Sequence, residues 1–483
     1  MTRELALLAA GCTALGARGA VVAAAPIAAS IGAHALRSGG SAYDAVIAAG
    51  LAETVLLPPK CGLAGDLVAL RLRPGAGRPD ALLAIGAAPA ALAEAAREHG
   101  GLPDVGPLSV GVPGAPAGYA ALAESATLPL ADLAAPAAAL AREGFPWAPI
   151  CAELTGEAQA LLVEQNPDGT PYLPGGRPMA AGTIVTLPGL GIVLEELVSR
   201  GRELFVGPLG DAVIDRVRRA GGILTAEDLR TPAARWQEAR HRLVGEWDVW
   251  ASPAPTHGPA LLDALELLHA NADTRPLDAV REAAGRHARW LADPLVPGGT
   301  SLVGAADSAG NVVLLMHSNS YPRYGSGLVV DELQLVLSNR AGRGFAADPA
   351  HPNHPSPGRR PATTLHLWAA GPQGTGPAFL GGTPGGANQM PWNVQLISQL
   401  LAGERDPGRL VTAPRWAWDG PTTTLELELG LDVTDVTRDV GINIEHRPSL
   451  SLRSTQQILC RPLPGHPIVG AADPRAGGSA AAV

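Results

Sequence analysis

The 483-residue sequence predicts an α+β layered fold, and two features of its pattern lead to that class. Helical periodicity dominates before residue 300, whereas strand-like segments dominate after it. The two kinds of segment do not alternate as they would in a doubly wound sheet. Hydrophobic residues make up 46% of the chain and charged residues 17%, which is typical of a protein with a large buried core.

The first half contains the clearest helix signals. "APIAASIGAHALRSGG" has Pro26 in a first turn, apolar residues at helical spacing and Gly39-Gly40 as a stop. Ser41 then caps a second helix, "SAYDAVIAAGLAETVLL", which ends before Pro58. "DLVALRL" and "ALLAIG" follow as two strands, and residues 115–290 are mostly helical, with a capping-box pattern at Thr225 to Asp228.

Strands dominate the second half of the chain. "HRLVGEWDVWASP" predicts a strand pair, and from Thr300 onward "TSLVGAA", "NVVLLMHS", "GLVV", "LQLVLS", "ATTLHLWAA" and "TTLELELGL" are strand-like. One helix, "MPWNVQLISQLLAGE", interrupts them. The elements therefore predict helices and sheets in separate layers.

Composition also bounds the partners. A formal net charge of -9 gives no long-range attraction for nucleic acid or anionic lipid. No run of about 18 apolar residues predicts a membrane span. The opening "MTRELALLAAGCTALGA" carries Glu4 and only a short apolar run, so we interpret it as an N-terminal helix of a cytoplasmic protein rather than a signal.

Neither metal nor cofactor chemistry is predicted. The histidines show no paired ligand spacing. The cysteines are widely separated, which is typical of isolated thiols rather than a disulfide framework or a zinc site; they are Cys12, Cys61, Cys151 and Cys460.

Thr300 is the first candidate for chemistry, because it follows Gly298-Gly299 at the start of a strand. A threonine hydroxyl inside a chain lacks a base. If the preceding bond were cut, the new α-amine, with a pKa of roughly 7.7 to 8.0, would become that base. From this stretch alone, a simple hairpin opening is the alternative.

Further polar positions form a second set of candidates. Gly385-Gly386 precede a helix, so their N–H groups could stabilise an oxyanion, although such pairs are also common in turns. Ser318-Asn319 and Thr363-Thr364 offer hydroxyl and amide groups, and each could equally be a satisfied strand residue.

Ordered blocks of the chain resemble the γ-glutamyltranspeptidase family of N-terminal-nucleophile hydrolases, which cut themselves into a large and a small subunit. The blocks include "SVGVPGAPAGYAAL", "AGGILTAEDL", "LSNRAGRGFAADPAHPN", "PGRRPATT", "GTPGGANQ" and "TAPRW". The resemblance implies a four-layer αββα sandwich, formed as one structural unit by residues 1–299 and 300–483 of one precursor. A small-molecule substrate is the other implied partner.

The resemblance also implies roles for individual residues. Thr300 falls on the catalytic threonine, which would attack the carbonyl of Gly299 and later accept the acyl group. Ser318 falls near the threonine that hydrogen-bonds this nucleophile. The oxyanion positions fall on Gly385 and Gly386, and the implied substrate-binding positions on Asn319, Asn339, Arg340, Thr363 and Thr364.

The pattern departs from the family where glutamate is bound. The arginine that holds the α-carboxylate is replaced by Gly86, and the acidic block is replaced by Asn339, Arg340 and Arg343. Only about forty residues separate "PAPTHGPALLDAL" from Thr300, so a helical segment of the family is missing. Turnover of glutathione is therefore not expected, and Arg340 or Arg343 would face an anionic substrate.

These departures predict a hydrolase with an altered substrate site. It would cleave an amide or a carbon–carbon bond of a small carboxylated metabolite, and we favour the carbon–carbon hydrolase activity of the branch that makes alkylproline units of antibiotics. A conventional γ-glutamyltransferase, glutathione hydrolase or acylase is the alternative. A further alternative is an unprocessed homologue without catalytic activity.

Overall fold

A computed structural model describes residues 11–230, 234–287, 299–419, 424–439 and 441–483. Its helices are α1 (Pro26–Arg37), α2 (Ala42–Leu56), α3 (Leu92–Glu98), α4 (Ala115–Ala123), α5 (Leu130–Glu143), α6 (Pro149–Glu157), α7 (Gln159–Gln165), α8 (Pro188–Arg200), α9 (Pro208–Arg219), α10 (Gly258–Ala270), α11 (Pro276–His287), α12 (Arg340–Gly344), α13 (Gln389–Leu401), α14 (Pro407–Thr412) and α15 (Val433–Val436).

The strands are β1 (Thr13–Gly16), β2 (Gly19–Ala23), β3 (Asp66–Leu72), β4 (Asp80–Ala84), β5 (Phe145–Pro146), β6 (Ile184–Val185), β7 (Ala234–Glu238), β8 (Arg240–Val244), β9 (Trp247–Ala251), β10 (Gly299–Asp307), β11 (Val312–Ser320), β12 (Val329–Val330), β13 (Leu335–Val336), β14 (Leu367–Pro372), β15 (Phe379–Gly382), β16 (Trp416–Asp419), β17 (Thr424–Glu428), β18 (Asn443–Arg447), β19 (Gln457–Cys460), β20 (Ile468–Ala472) and β21 (Ser479–Ala482).

Two seven-stranded sheets form the centre of the fold. One has the order β21-β2-β10-β11-β3-β4-β7 and the other β1-β20-β19-β15-β14-β9-β8. Apolar side chains between the sheets, among them Val22, Leu302 and Leu459, are fully buried. Helices α1 and α2 cover the outer face of the first sheet, and α10, α11 and α13 cover that of the second. This is the αββα sandwich of the sequence prediction.

The first helix pair shows how local signals produce the outer layer. Pro26 opens α1, where a missing N–H costs nothing. Ser41 precedes α2, and its backbone N–H donates to Asp44 Oδ2 at 2.7 Å while its hydroxyl donates to the same oxygen at 2.6 Å. Asp44 thereby fixes the entry into α2, as the capping pattern predicts.

One sequence prediction fails at the N-terminus. Part of the helix predicted over the opening segment lies outside the described residues, but Thr13–Gly16 is strand β1. It pairs with β20, where Thr13 faces Ala471 and Gly16 faces Ile468. Pairing with a strand near the other end of the chain outweighs the local helical preference of this alanine-rich stretch.

Two further observations concern membrane-spanning helices and the cysteine side chains. Across the described residues, no helix has both the length and the apolar character needed to cross a bilayer. All four cysteines are free thiols.

Candidate active site

Thr300 lies near the start of β10, where this strand pairs with the end of β11. Gly299 faces Ser320 and Ser301 faces His317, so two residues of β11 stand opposite Thr300 alone. They are Ser318 and Asn319. Such a β-bulge interrupts the ladder and re-aims side chains, and bulges are frequent beside active sites.

The bulge brings two hydroxyls and a carbonyl together. Thr300 Oγ1 is 3.1 Å from Ser318 Oγ, and the Ser318 hydroxyl donates to the carbonyl oxygen of Gly299. The N–H of Ser320 donates to Ser318 Oγ at 2.9 Å. The Ser318 hydroxyl has a single proton, which it donates to the Gly299 carbonyl. Thr300 is therefore the donor in the hydrogen bond between Thr300 and Ser318. The arrangement polarises the carbonyl that immediately precedes Thr300.

Gly299 has no room for a side chain. A Cβ at this position would lie 2.6 Å from the carbonyl oxygen of Ser320 and 3.3 Å from that of Pro59. The glycine is therefore required by the close approach of three backbone segments at the start of β10. The same absence of a side chain leaves its carbonyl accessible to the Thr300 hydroxyl.

Thr300 is only 2% exposed, but it lines a pocket of about 510 Å³. Gly385 lines the same pocket and has φ of +147°, while the adjacent Gly386 has φ of +59°. A Cβ on Gly385 would lie 2.3 Å from the Trp392 ring. Neither glycine N–H donates to another described residue. Two unpaired donors near a nucleophile suit the stabilisation of an oxyanion.

Asn319 and Asn339 are held by the protein itself. The Asn319 side chain is fully buried and its Nδ2 donates to Pro58 O at 3.3 Å. Asn339 Nδ2 donates to Asp104 O at 2.6 Å and to Tyr321 O. Neither asparagine is among the described residues that line the Thr300 pocket.

The two threonines predicted for substrate binding also lie outside that lining. Thr363 Oγ1 accepts from the N–H of Leu365 at 3.2 Å, and Thr364 Oγ1 is 3.5 Å from Gln389 Nε2. They precede β14 instead of belonging to it, so the strand predicted from "ATTLHLWAA" begins later than expected. Their substrate-binding role, like that of the two asparagines, stays a prediction.

Arg340 forms a buried ion pair rather than facing the Thr300 pocket. Its Nε is 2.6 Å from Asp66 Oδ2, and both side chains are at most 8% exposed. The other Asp66 oxygen accepts from the N–H of Gly86 at 3.2 Å. A Cβ on Gly86 would lie 1.7 Å from Val112 O, so an arginine cannot occupy this position without moving the backbone. Burial raises the pKa of Asp66, and Arg340 opposes that effect.

Sequence reasoning missed the basic lining of the Thr300 pocket. Its described charged side chains are one acid, Glu426, and four bases: Lys60, Arg323, Arg447 and Arg453. Glu426 is already bound by Arg447, whose Nε lies 2.7 Å from its Oε1. One signal could have drawn attention to Lys60, because it is the only lysine in the sequence.

A second polar cluster lies behind the nucleophile, on the opposite face of β10 and β11. Ser301 Oγ donates to Glu53 Oε2 at 2.6 Å, and His317 Nε2 is 3.1 Å from the same oxygen. Tyr119 OH is 3.0 Å from His317 Nδ1, and the N–H of Ala24 donates to Glu53 Oε1 at 2.7 Å. The cluster is fully buried and ties both strands to α2.

Part of this cluster has the composition of a metal site. Ligand atoms of Glu53, Cys61 and His317 lie within 4.8 Å of one another. However, both Glu53 oxygens and both His317 nitrogens are already hydrogen-bonded, and burial raises the pKa of Cys61 well above its ordinary value. A neutral thiol and engaged donors fit a metal poorly, so we interpret the group as structural.

Comparison with known proteins identifies a matching family model and relatives that align with most of the chain. The family model described as gamma-glutamyltranspeptidase matches residues 28–292 and 276–483. The oxamate amidohydrolase proenzyme of Klebsiella pneumoniae subsp. pneumoniae is 27% identical, over 92% of this chain and 95% of that protein. The acylase ACY 1 proenzyme of Pseudomonas sp. (strain V22) is 28% identical, over 86% of this chain and 85% of that protein.

A solved structure matches over almost the whole length. The cephalosporin acylase from Bacillus halodurans superposes with a TM-score of 0.85 at 27% identity, covering 98% of this chain and 97% of that one. The two chains therefore share their fold over almost the whole length of this chain.

Proposed function

Because the chain belongs to the γ-glutamyltranspeptidase family of N-terminal-nucleophile hydrolases, we propose that it is a self-processing hydrolase whose nucleophile is Thr300. The observation that carries this proposal is the relay from Thr300 through Ser318 to the Gly299 carbonyl. Hydrolase activity is the proposal for the chain as a family member, and Thr300 is the residue to which we assign the nucleophilic attack.

Self-cleavage would use this relay first. The Thr300 oxygen adds to the Gly299 carbonyl carbon while the Ser318 hydroxyl stabilises the developing charge on the carbonyl oxygen. Breaking the C–N bond leaves an ester between Gly299 and Thr300, and the proton of the Thr300 hydroxyl passes to the departing nitrogen, which becomes the free α-amine. Water then hydrolyses the ester, which yields segments 1–299 and 300–483 as large and small subunits.

Substrate hydrolysis would then reuse the same oxygen. The free α-amine of Thr300 accepts the hydroxyl proton as the oxygen attacks the substrate carbonyl, and it returns that proton to the leaving group. The N–H groups of Gly385 and Gly386 would hold the oxyanion. Water completes the cycle by hydrolysing the acyl ester.

We propose a short, negatively charged acyl group as the substrate class. Four of the five described charged side chains that line the pocket are basic, and the position of the family's glutamate-binding arginine is a glycine without space for a side chain. A relative that aligns with nearly the whole chain is named for oxamate, an amide with an adjacent carboxylate. These points favour amide hydrolysis.

Carbon–carbon cleavage of an anionic keto acid, favoured by the sequence, is the second candidate. A ketone attacked by Thr300 forms the same tetrahedral oxyanion as an amide, so the donors of Gly385 and Gly386 serve either reaction. Collapse of this intermediate breaks the carbon–carbon bond, and the departing carbon takes the proton held by the Thr300 α-amine.

A substrate panel tests the proposal. Purified wild-type protein is incubated with oxamate, with a γ-glutamyl anilide and with an oxalyl-type keto acid, and products are quantified by mass spectrometry against Thr300→Ala. We expect kcat/KM for oxamate or the keto acid to exceed that for the γ-glutamyl anilide by about 100-fold, the effect of losing charge-assisted contacts to glutamate. Preferential turnover of the γ-glutamyl anilide would overturn the substrate assignment.

A further inference from the structure

Lys60 is an exception in both composition and environment. The chain contains 36 lysine and arginine residues, and every one except Lys60 is arginine. Its side chain lines the Thr300 pocket, yet the residue is only 5% exposed. A buried ammonium is costly unless an anion accompanies it.

Among the residues that the structure describes, no carboxylate lies within 4.0 Å of the Lys60 ammonium, and Glu53 acts on it only from a greater distance. Neither an ion pair nor a hydrogen bond engages the Lys60 ammonium there. The other cations of the pocket differ in this respect: Arg447 contacts Glu426, Arg453 lies 3.1 Å from Glu157, and Arg323 lies 3.5 Å from the same glutamate.

The backbone of Lys60 is fixed beside the nucleophile. Its carbonyl accepts from the N–H of Asn319 at 3.0 Å, and Asn319 is the bulge residue opposite Thr300. A Cβ built on Gly299 would lie 3.6 Å from the same carbonyl oxygen. The backbone of Lys60 is therefore hydrogen-bonded to β11 and lies close to the start of β10.

We propose that Lys60 is the specificity-determining residue of this pocket and binds a carboxylate located close to the substrate carbonyl. The inference rests on the proposed function and deepens it by naming the group that recognises the anion. The position is distinct from Gly86 and from Arg340, because the Arg340 guanidinium is already paired with Asp66.

Physical chemistry explains why this position carries lysine. An ammonium is a compact point charge that can meet one carboxylate oxygen in a small space, whereas a guanidinium needs a wider, planar partner. Burial lowers the pKa of Lys60 and Glu53 opposes that effect only in part, so a bound carboxylate would oppose it further.

The first test measures binding without catalysis. Oxalate, which lacks an amide or ketone carbonyl for Thr300 to attack, is titrated calorimetrically into wild-type protein and into Lys60→Met. We expect the variant to bind oxalate about 10- to 150-fold more weakly, the loss of one charge-assisted hydrogen bond. Arg97→Met removes the same charge from an exposed position and is expected to change affinity less than about twofold.

A second measurement avoids substitution altogether. Because the chain has one lysine, a reagent for amines labels Lys60 as its only ε-amine, and peptide mass spectrometry separates this label from α-amines. At an oxalate concentration of about ten times its Kd, labelling of Lys60 in the wild-type protein should slow about 10-fold, because only the unbound fraction reacts. An unchanged labelling rate, or equal oxalate affinity in wild type and Lys60→Met, overturns the proposal.

The substrate panel and the oxalate experiments together distinguish the proposed hydrolase function from the proposed role of Lys60. If the protein turns over oxamate but binds oxalate equally well with and without Lys60, the proposed hydrolase function stands and the proposed role of Lys60 is wrong. Oxalate binding that depends on Lys60 without turnover of any substrate in the panel would retain the anion site and reject the proposed reaction.

Discussion

The two faces of the β10–β11 pair carry similar polar groups but leave them in different states. On the helix-covered face, Ser301 and His317 share Glu53. On the pocket face, Thr300 and Ser318 form a relay that ends on a backbone carbonyl. One cluster satisfies its polar atoms within the fold, whereas the other adjoins donors that have no partner in the described part of the chain.

This difference separates structural from functional polarity. A fully paired buried network stabilises and orients the strands, because every donor and acceptor is satisfied. The N–H groups of Gly385 and Gly386 and the Lys60 ammonium have no hydrogen-bond partner among the described residues, and a bound anion is expected to stabilise them. The contrast therefore predicts which substitutions reduce activity and which reduce stability.

Adjacent hydroxyls give the largest contrast. Thr300→Ala should lower turnover at least ~1000-fold, because it removes the attacking oxygen. Ser301→Ala should keep kcat within a few-fold but lower the free energy of unfolding by about 1 to 3 kcal/mol, because Glu53 loses a partner. Steady-state kinetics and urea unfolding of both variants measure this pair of effects. The contrast fails if Ser301→Ala is as inactive as Thr300→Ala.

Removing the centre of the structural cluster should mainly affect folding. Glu53→Ala leaves Ser301, His317 and the N–H of Ala24 without their acceptor, and we expect a loss of about 3 to 5 kcal/mol in the free energy of unfolding. Urea denaturation measures it. The exposed Glu143→Ala is the control, with an expected change within about 0.5 kcal/mol. Equal stabilities would show that the cluster contributes little.

Substitution of a glycine donor should mainly reduce turnover, whereas substitution of Glu53 should mainly reduce stability. Gly385→Ala forces a Cβ against the Trp392 ring and strains a positive φ, so the N–H should move away from the oxyanion. We expect turnover to fall about 100-fold, comparable to losing one oxyanion donor. Gly156→Ala, where nothing lies within 4 Å of the new Cβ, is the matched control and should leave turnover unchanged. An active Gly385→Ala enzyme would remove this loop from the mechanism.

The smallest effect concerns pH. Burial lowers the pKa of His366 to about 4, and its ring nitrogens lie 2.8 Å from Thr364 O and 2.9 Å from Asn393 Nδ2. The unfolded chain binds a proton near pH 6.5, so folding stability should fall as pH drops below that value. We expect His366→Gln to reduce the stability loss between pH 7 and pH 5 by about 1 to 2 kcal/mol.

Urea denaturation at several pH values measures that slope. His466→Gln serves as the control because this histidine is exposed, and its pH dependence should match the wild type. Identical slopes in His366→Gln and the wild type would contradict a neutral buried His366.

Local signals explain what could be predicted from the sequence. Pro26, the Ser41 cap and the strand-like run after Thr300 each act within a few residues, and the elements they predict are present. The hairpin between β10 and β11 has a short turn, so the proximity of Ser318 to Thr300 also follows from nearby sequence.

Contacts between residues far apart in the sequence explain what could not be predicted. Glu53 reaches His317 across 264 positions of sequence, and no periodicity reports such a pair. Arg340 has the residue type expected of an anion-binding group, but Asp66, 274 positions away, already occupies it. Lys60 lies in a loop between α2 and β3, and its place beside Gly299 depends on how three segments meet.

If Thr300 becomes an N-terminal nucleophile, intact-mass analysis of freshly purified wild-type protein will show the cleavage. We expect two chains, the smaller beginning at Thr300, while Thr300→Ala remains a single chain. A single wild-type species of 49.2 kDa that stays uncleaved on prolonged incubation would contradict this expectation.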